Sequence, residues 1–158
     1  MSHWAFHSQI FFLVHKFNAH RTFLATGSAM IQDRTIYEDA EVFAQHLSDS
    51  GFMSIDETKT YRDLYTELIQ LLPSPTLMIY LQADVDTLFH RIKVRGRPEE
   101  QNIPRDYMKS LHALYESWFR NYDRSPKLLL NVDGLDFVNN EADREVVIHQ
   151  IKDALNQL

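Results

Sequence analysis

Apolar positions recur every three or four residues over six stretches of the chain, and three short runs are rich in apolar residues. The first pattern is typical of an amphipathic helix and the second of a strand. Helices are therefore predicted at 2–21, 37–47, 56–72, 85–94, 104–122 and 141–158, and strands at 28–34, 76–83 and 127–133. This alternation predicts one α/β domain over residues 1–158, with helices flanking a parallel sheet.

The clearest predicted strand is TLMIYLQA, residues 76–83. A nearly continuous apolar run of this kind is typical of a parallel strand that is covered on both faces. Three strands are few for such a sheet, since the mean sheet has about five or six strands. The count predicts a sheet that lacks a central strand.

Composition narrows the class of protein. The chain has 158 residues, of which 44% are hydrophobic, a net charge of −6 and no cysteine. It lacks the basic surface with which nucleic-acid-binding proteins displace counterions, and the lack of cysteine suits a reducing compartment. The apolar run IFFLV, residues 10–14, is too short to cross a membrane. We expect a cytoplasmic protein without a nucleic acid or a membrane as partner.

One segment of this acidic chain is strongly cationic: RIKVRGRPEEQNIPRDY, residues 91–107. Arg91 and Arg95 are four residues apart and share a helix face, and Arg97 follows Gly96. Guanidinium groups in a row can bind a polyphosphate through paired hydrogen bonds. The alternative is a solvated helix end whose cations lie near the negative helix pole.

Asp33 and Arg34 end the first predicted strand, where ligands of open α/β sheets bind. A carboxylate there can hold Mg²⁺, and the arginine can neutralise a phosphate or orient a hydroxyl. The alternative is a local ion pair that caps the helix beginning at Tyr37.

Five sequence blocks taken together resemble the deoxynucleoside kinases that act on deoxycytidine, deoxyadenosine and deoxyguanosine. The blocks are WAFHSQIFFL, QDRTIYEDAEVFA, MIYLQADVDTLFHRIKVRGRPEEQNIP, LYESWF and NVDGLDF, in family order, and the resemblance covers essentially all of residues 4–157. The resemblance implies a P-loop kinase-like fold and phosphorylation of a deoxynucleoside 5'-hydroxyl with ATP and Mg²⁺. It also implies a homodimer.

The cationic segment resembles the lid that closes over the phosphate donor in this family. By resemblance, Arg91 and Arg95 reach the donor phosphates, Arg97 supports the lid and Glu100 accepts a hydrogen bond from the sugar 3'-hydroxyl. Phosphoryl transfer depends mostly on positioning and on cations that stabilise the transferring group, which agrees with these roles.

The resemblance also implies which residues bind the deoxynucleoside, the acceptor of the phosphoryl group. Gln9 resembles the glutamine that binds the base, Asp39 its acidic partner and Phe43 the aromatic ring that stacks on the base. Lys16 stands where the family usually has an arginine. The residues alone leave an ordinary alternative for each of these three positions. In it, Gln9 is an exposed helix residue, Asp39 is a charge in the first turn of a helix and Phe43 is a core residue.

The remaining implied positions concern the metal and the donor. Asp33 resembles the strand-end acid near magnesium, and Arg34 the arginine that contacts the 5'-hydroxyl and the catalytic carboxylate. Asp136 and Phe137 resemble the loop that packs against the donor adenine.

The sequence also departs from the family pattern. Its four glycines, Gly27, Gly51, Gly96 and Gly134, form no P-loop of the type G-x-x-x-x-G-K-S/T. We therefore expect an amino-terminally truncated kinase whose own activity is weak or absent. The alternatives are a non-catalytic protein that keeps part of the nucleoside pocket or a subunit interface, and a thymidylate kinase-like nucleotide kinase.

Overall fold

Helices dominate the computed structural model, which describes the backbone of residues 2–158 and the side chains from Trp4 onward. The helices are Ser2–Leu24 (α1), Ile36–Glu38 (α2), Gln45–Asp49 (α3), Ile55–Gln70 (α4), Val85–Arg95 (α5), Arg105–Asn121 (α6) and Glu141–Asn156 (α7). A π-helix, Asp39–Ala44, joins α2 to α3, and a 3-10 turn, Pro98–Glu100, follows α5. The strands are Met78–Gln82 (β1) and Lys127–Asn131 (β2).

The described chain divides into two compact units. The first reaches Pro73 and includes Ala113–Trp118, and the second comprises Ser74–His112 and Phe119–Leu158. The prediction of a single domain over residues 1–158 stays a prediction.

The predicted strand at 28–34 is wrong. This segment has no regular secondary structure, bends at Asp33 and Arg34, and leaves Ile31 fully exposed. A strand exists through its ladder of backbone hydrogen bonds with a neighbour, and none of the described residues pairs with this segment. Residue preference for the pleated conformation is too weak to replace that ladder.

The two strands of the second unit are parallel and in register from Met78 opposite Lys127 to Gln82 opposite Asn131. The expected burial on both faces is wrong for the described residues, since Leu81 and Leu129 are each 45% exposed. Parallel pairing brings the carboxyl ends of both strands to one edge.

The core of the second unit lies beside β2. Ala83, Leu130, Val132 and Val147 are buried there, and partly buried side chains from both strands, α5, α7 and the loop after β2 pack around them. The predicted helix at 141–158 is confirmed as α7, whose Val147 contributes to this core.

The core of the first unit is helical. Its most buried large side chains, all below 2% exposure, are Leu13, Ile36, Tyr37, Val42 and Tyr61. Two capping boxes begin its helices: Thr35 with Glu38 begins α2, and Ser54 with Glu57 begins α4. Each box gives two free helix-end N–H groups a side-chain acceptor, so the sequence itself sets where these helices start.

The predicted helix at 37–47 is confirmed, but its middle is a π-helix. In that segment the backbone hydrogen bonds close over five residues, a geometry that proteins use mostly as short insertions near functional sites. Asp39 and Phe43 lie in it, so the candidate acidic base-reading residue and the candidate stacking ring share this unusual turn.

No helix within residues 2–158 is long and apolar enough to cross a membrane.

Candidate functional site

Lys16 connects three parts of the first unit. Its ammonium lies 2.9 Å from Asp39 Oδ2 and donates hydrogen bonds to the carbonyl oxygens of Arg34 at 3.1 Å and Thr35 at 3.4 Å. Helix α1 supplies the lysine, the loop before α2 supplies the carbonyls, and the π-helix supplies the carboxylate. These contacts hold Lys16 close to Arg34, Thr35 and Asp39, which lie 18 to 23 residues further along the chain.

Arg34 has a backbone φ of 59°, in the left-handed region that residues with a Cβ rarely adopt. Hydrogen bonds just after Arg34 stabilise this turn, because Thr35 caps α2 and the Tyr37 N–H donates to the Thr35 side chain. Such strain persists only where the surroundings enforce it. Here the Lys16 ammonium binds the carbonyl of the strained residue itself.

The Arg34 guanidinium lies over the ring of Phe43, 5.0 Å from its centroid. Phe43 in turn meets the ring of Tyr115 edge to face, with centroids 6.0 Å apart. Burial raises the pKa of the Tyr115 hydroxyl well above its ordinary value, and the nearby Arg34 opposes that rise. We call Lys16, Arg34, Asp39, Phe43 and Tyr115 the Asp39 cluster.

Two buried acceptor oxygens lie in the first unit. Gln9 is 7% exposed on α1 and Asp39 is 8% exposed, and neither Gln9 Oε1 nor Asp39 Oδ2 receives a well-aligned hydrogen bond from the described residues. For Asp39 Oδ2, the 2.9 Å contact with Lys16 is an ion pair that lacks hydrogen-bond alignment. Buried acceptors of this kind are costly unless a partner meets them, so both oxygens can receive donors from a ligand.

Asp33 lies exposed on the bend before Arg34. Among residues 2–158 no group of three or more acidic or histidine side chains is arranged to hold a metal. A single exposed carboxylate still fits Mg²⁺, because this ion commonly keeps several waters and uses one or two carboxylates together with substrate phosphates.

Arg95, Arg97 and Glu100 form a second group, in the other unit, which we call the Glu100 cluster. Arg95 donates to Glu100 Oε2 from Nε at 2.9 Å and from Nη2 at 2.6 Å, and Arg97 donates to Glu100 Oε1 at 3.4 Å. Gly96, with φ 70°, ends α5 between the two arginines and turns the chain so that both reach one carboxylate.

Arg91 does not belong to that cluster. Its guanidinium donates to the carbonyl oxygens of Val132 and Leu135 and lies 5.9 Å from the ring centroid of Phe137. In this conformation Arg91 connects α5 to the loop after β2. To bind a phosphate, its guanidinium has to leave the two carbonyl oxygens.

Asp136 shapes the same loop. Its N–H donates to Asp143 Oδ2 at 2.7 Å, and its carboxylate accepts hydrogen bonds from the side chain and backbone of Asn139. These hydrogen bonds lower the pKa of the Asp136 carboxyl below its ordinary value.

The structure therefore brings Lys16, Arg34, Asp39 and Phe43 together in one unit, and Arg95, Arg97 and Glu100 together in the other. Tyr115 was missed, because the helical spacing of Leu111, Tyr115 and Trp118 predicts only core packing. The signal that could have indicated it is a polar-tipped aromatic in a stripe that otherwise suits apolar side chains.

Residues 1–156 match the family model described as deoxynucleoside kinase. The deoxyadenosine/deoxycytidine kinase of Bacillus subtilis (strain 168) is 35% identical over 155 residues, covering 97% of this chain and 71% of that protein. A deoxyguanosine kinase of Lactobacillus acidophilus is 37% identical over 164 residues, covering 98% of this chain and 71% of that protein.

The structure of deoxyadenosine kinase from M. mycoides with bound dCTP superimposes with a TM-score of 0.77 at 24% identity, covering 96% of this chain and 75% of that one. The fold is thus of the α/β P-loop kinase-like class. Because residues 1–156 of its 158 residues match this family model, the chain belongs to the deoxynucleoside kinase family.

Proposed function

We propose that this protein binds a deoxynucleoside at the Asp39 cluster and takes part in the ATP-dependent phosphorylation of its 5'-hydroxyl. The observation that carries the proposal is a buried, ion-paired Asp39 in the same unit as a buried Gln9, each with an acceptor oxygen that receives no aligned hydrogen bond from the described residues. Family membership supports the reaction class.

The base is read by Asp39 and Gln9 in this proposal. A carboxylate oxygen accepts a hydrogen bond from an amino group, whereas it repels a carbonyl oxygen at the same position. Bases with an exocyclic amino group are therefore favoured over thymine. The Phe43 ring offers a stacking surface for the base, and the Arg34 guanidinium now over that ring moves toward the 5'-hydroxyl.

The phosphate donor is ATP with Mg²⁺. Asp33 would hold the ion, which when bound would supply positive charge to offset the negative charge on the transferring group. Arg91, Arg95 and Arg97 bind the donor as the lid closes, Glu100 accepts a hydrogen bond from the 3'-hydroxyl, and Asp136 and Phe137 pack against the adenine.

Calorimetric titration with deoxyadenosine, deoxycytidine, deoxyguanosine and thymidine tests the acceptor half directly. We expect amino-bearing nucleosides to bind more tightly than thymidine, and Asp39→Ala to reduce that preference by about 2 kcal/mol because a buried charged hydrogen bond is lost. The matched control is Asp63→Ala, which removes an exposed carboxylate from the same unit and should change no affinity. Equal binding of all four nucleosides would contradict the assignment.

Phosphoryl transfer is measured separately, as the conversion of labelled ATP to ADP in the presence of each nucleoside. Turnover that depends on Arg95 would support the kinase. Binding without turnover would favour the second candidate, a protein that binds a nucleoside without phosphorylating it. The observation in its favour is that Arg91 is bound to loop carbonyls and that Arg95 and Arg97 are both bound to Glu100.

Self-association into a homodimer is part of the proposal. Helix α1 buries Leu13 but exposes four large apolar side chains, namely Trp4, Phe11, Phe12 and Val14. Sedimentation of the wild-type chain and of Phe11→Glu tests this: the wild type should dimerise and the variant should not.

A further inference from the structure

We propose that Tyr115 is a positioning residue, which holds the Phe43 ring in the orientation that stacks on the base. The inference rests on the proposed function, since it names the contact that fixes the stacking surface of the Asp39 cluster. Tyr115 acts through Phe43 and does not touch the base. The helical spacing of Tyr115 predicts core packing alone, so this role goes beyond that expectation.

Arg34 and Tyr115 both contact the Phe43 ring, and a bound base affects the two contacts differently. The Arg34 guanidinium lies over the face of the ring, 5.0 Å from its centroid. A base stacks on the same kind of surface, so it displaces the guanidinium from the face that it takes. The Tyr115 ring meets Phe43 edge to face, with centroids 6.0 Å apart and planes at 86°. This second contact is the one that can remain when Arg34 leaves.

Tyr115 is itself held by a ring on α6. Trp118, three residues further along the helix, meets Tyr115 with centroids 6.2 Å apart and planes at 80°. Tyr115, Trp118 and Phe43 are half-buried and belong to the first unit. Aromatic rings favour this arrangement because the positive edge of one ring faces the negative face of the other. A row of three rings thus sets the orientation of Phe43.

The Tyr115 hydroxyl lies within the electrostatic range of the charged residues of the site. Burial raises the pKa of this hydroxyl, Arg34 opposes the rise, and the carboxylates of Glu38, Asp39 and Asp33 add to it. The hydroxyl therefore stays neutral at working pH and does not repel these carboxylates. Tyr115 can support the stacking ring without disturbing the charges beside it.

A double-mutant cycle tests whether Tyr115 acts through Phe43. Tyr115→Leu removes the ring and keeps an apolar side chain. We expect it to weaken binding of deoxyadenosine and deoxyguanosine by about three- to tenfold, the range that an edge-to-face pair permits. Binding of deoxycytidine should weaken by less than about twofold, because a pyrimidine covers less of the ring than a purine. In a Phe43→Leu background, Tyr115→Leu should alter binding by less than about twofold, since both changes act at one contact.

Two further variants serve as controls. Tyr115→Phe keeps the ring and removes only the hydroxyl, so affinities should stay within about twofold of the wild type. Tyr107→Leu removes a tyrosine of the same helix that is 37% exposed, and should change no affinity. Additive effects of Tyr115→Leu and Phe43→Leu, equal weakening of all nucleosides, or a loss in Tyr115→Phe as large as in Tyr115→Leu would overturn the proposal.

The wild-type protein gives a test that needs no variant. Nuclear Overhauser contacts between the Phe43 and Tyr115 rings should persist when deoxyadenosine binds. Contacts between the Phe43 ring and the Arg34 side chain should be lost at the same time. If the contacts between the two rings disappeared on binding, Tyr115 would not hold the stacking ring.

A measurement on the free protein keeps this inference distinct from the proposed function. In carbon-13 spectra, Tyr115→Leu should shift the ring signals of Phe43, because the ring current of its neighbour is removed, whereas Tyr107→Leu should not. Unchanged Phe43 signals would contradict the role of Tyr115. If those signals shift but the wild type binds no nucleoside, the proposed function fails while the hold of Tyr115 on the Phe43 ring stands.

Discussion

Arg95 donates two hydrogen bonds to a single oxygen of Glu100, from Nε at 2.9 Å and from Nη2 at 2.6 Å. Arg97 occupies the other carboxylate oxygen. Two cations proposed to bind phosphate are thus paired with the single carboxylate of the residue proposed to bind the sugar. An anionic donor and Glu100 therefore compete for the same guanidinium groups.

Glu100→Gln tests this competition. The amide removes the negative charge, so we expect ATP to bind more tightly by roughly two- to fivefold, the range that a half-exposed ion pair of about 0.5–1 kcal/mol permits. Binding of a fluorescent ATP analogue measures it. The control is Asp86→Asn, which breaks the surface ion pair between Arg105 and Asp86 in the same unit. Unchanged or weaker ATP binding in Glu100→Gln would contradict the competition.

Arg91→Met should loosen the loop after β2. The change removes hydrogen bonds to the carbonyl oxygens of Val132 and Leu135, and we expect it to lower the free energy of unfolding by about 2 kcal/mol. Hydrogen exchange at the amides of residues 132–137 should speed up at the same time. Lys93→Met, an exposed change on the same helix, is the control. Intact protection of this loop in Arg91→Met would show that the arginine does not hold it.

Lys16→Met should also be costly to stability. Removing the cation from the buried Asp39 should lower the free energy of unfolding by about 3 kcal/mol, as expected for a broken buried pair. Lys59→Met breaks an exposed pair and should cost less than about 1 kcal/mol. Urea unfolding of both variants gives the comparison, and equal losses would mean that burial of the Lys16 pair is not what matters.

His20 should make the protein sensitive to acid. Burial lowers the pKa of His20 below its ordinary value of 6.5, so the folded state binds a proton less readily than the unfolded state. Its contribution to stability is therefore complete above about pH 6.5 and decreases as the pH falls through the lowered folded-state pKa. Below about pH 6.5, the unfolding temperature of His20→Gln should fall less steeply than that of the wild type.

The control for that measurement is His15→Gln, an exposed histidine on the same helix. It should follow the wild-type pH dependence. If the unfolding temperatures of His20→Gln and the wild type fell equally with pH, His20 would not be the source of the acid sensitivity.

The sequence by itself determined most helices and both strands, because their signals are local. Capping boxes at Thr35 and Ser54, the apolar run at β1 and Gly96 after α5 act within a few residues of where they stand. The cationic segment could likewise be located from its own residues, whereas its role as a lid is implied only by the resemblance and stays a prediction. The family comparison confirmed the family and its fold.

Only the tertiary structure decided where residues far apart in the chain meet. Residues 28–34 resemble a strand locally but have no described neighbour to pair with, and Arg91 is bound to carbonyls some forty residues away. Lys16 likewise reaches Asp39 across the fold. Backbone pairing and ion pairing of this kind depend on which segments the fold brings together, which a local pattern of polar and apolar positions does not encode.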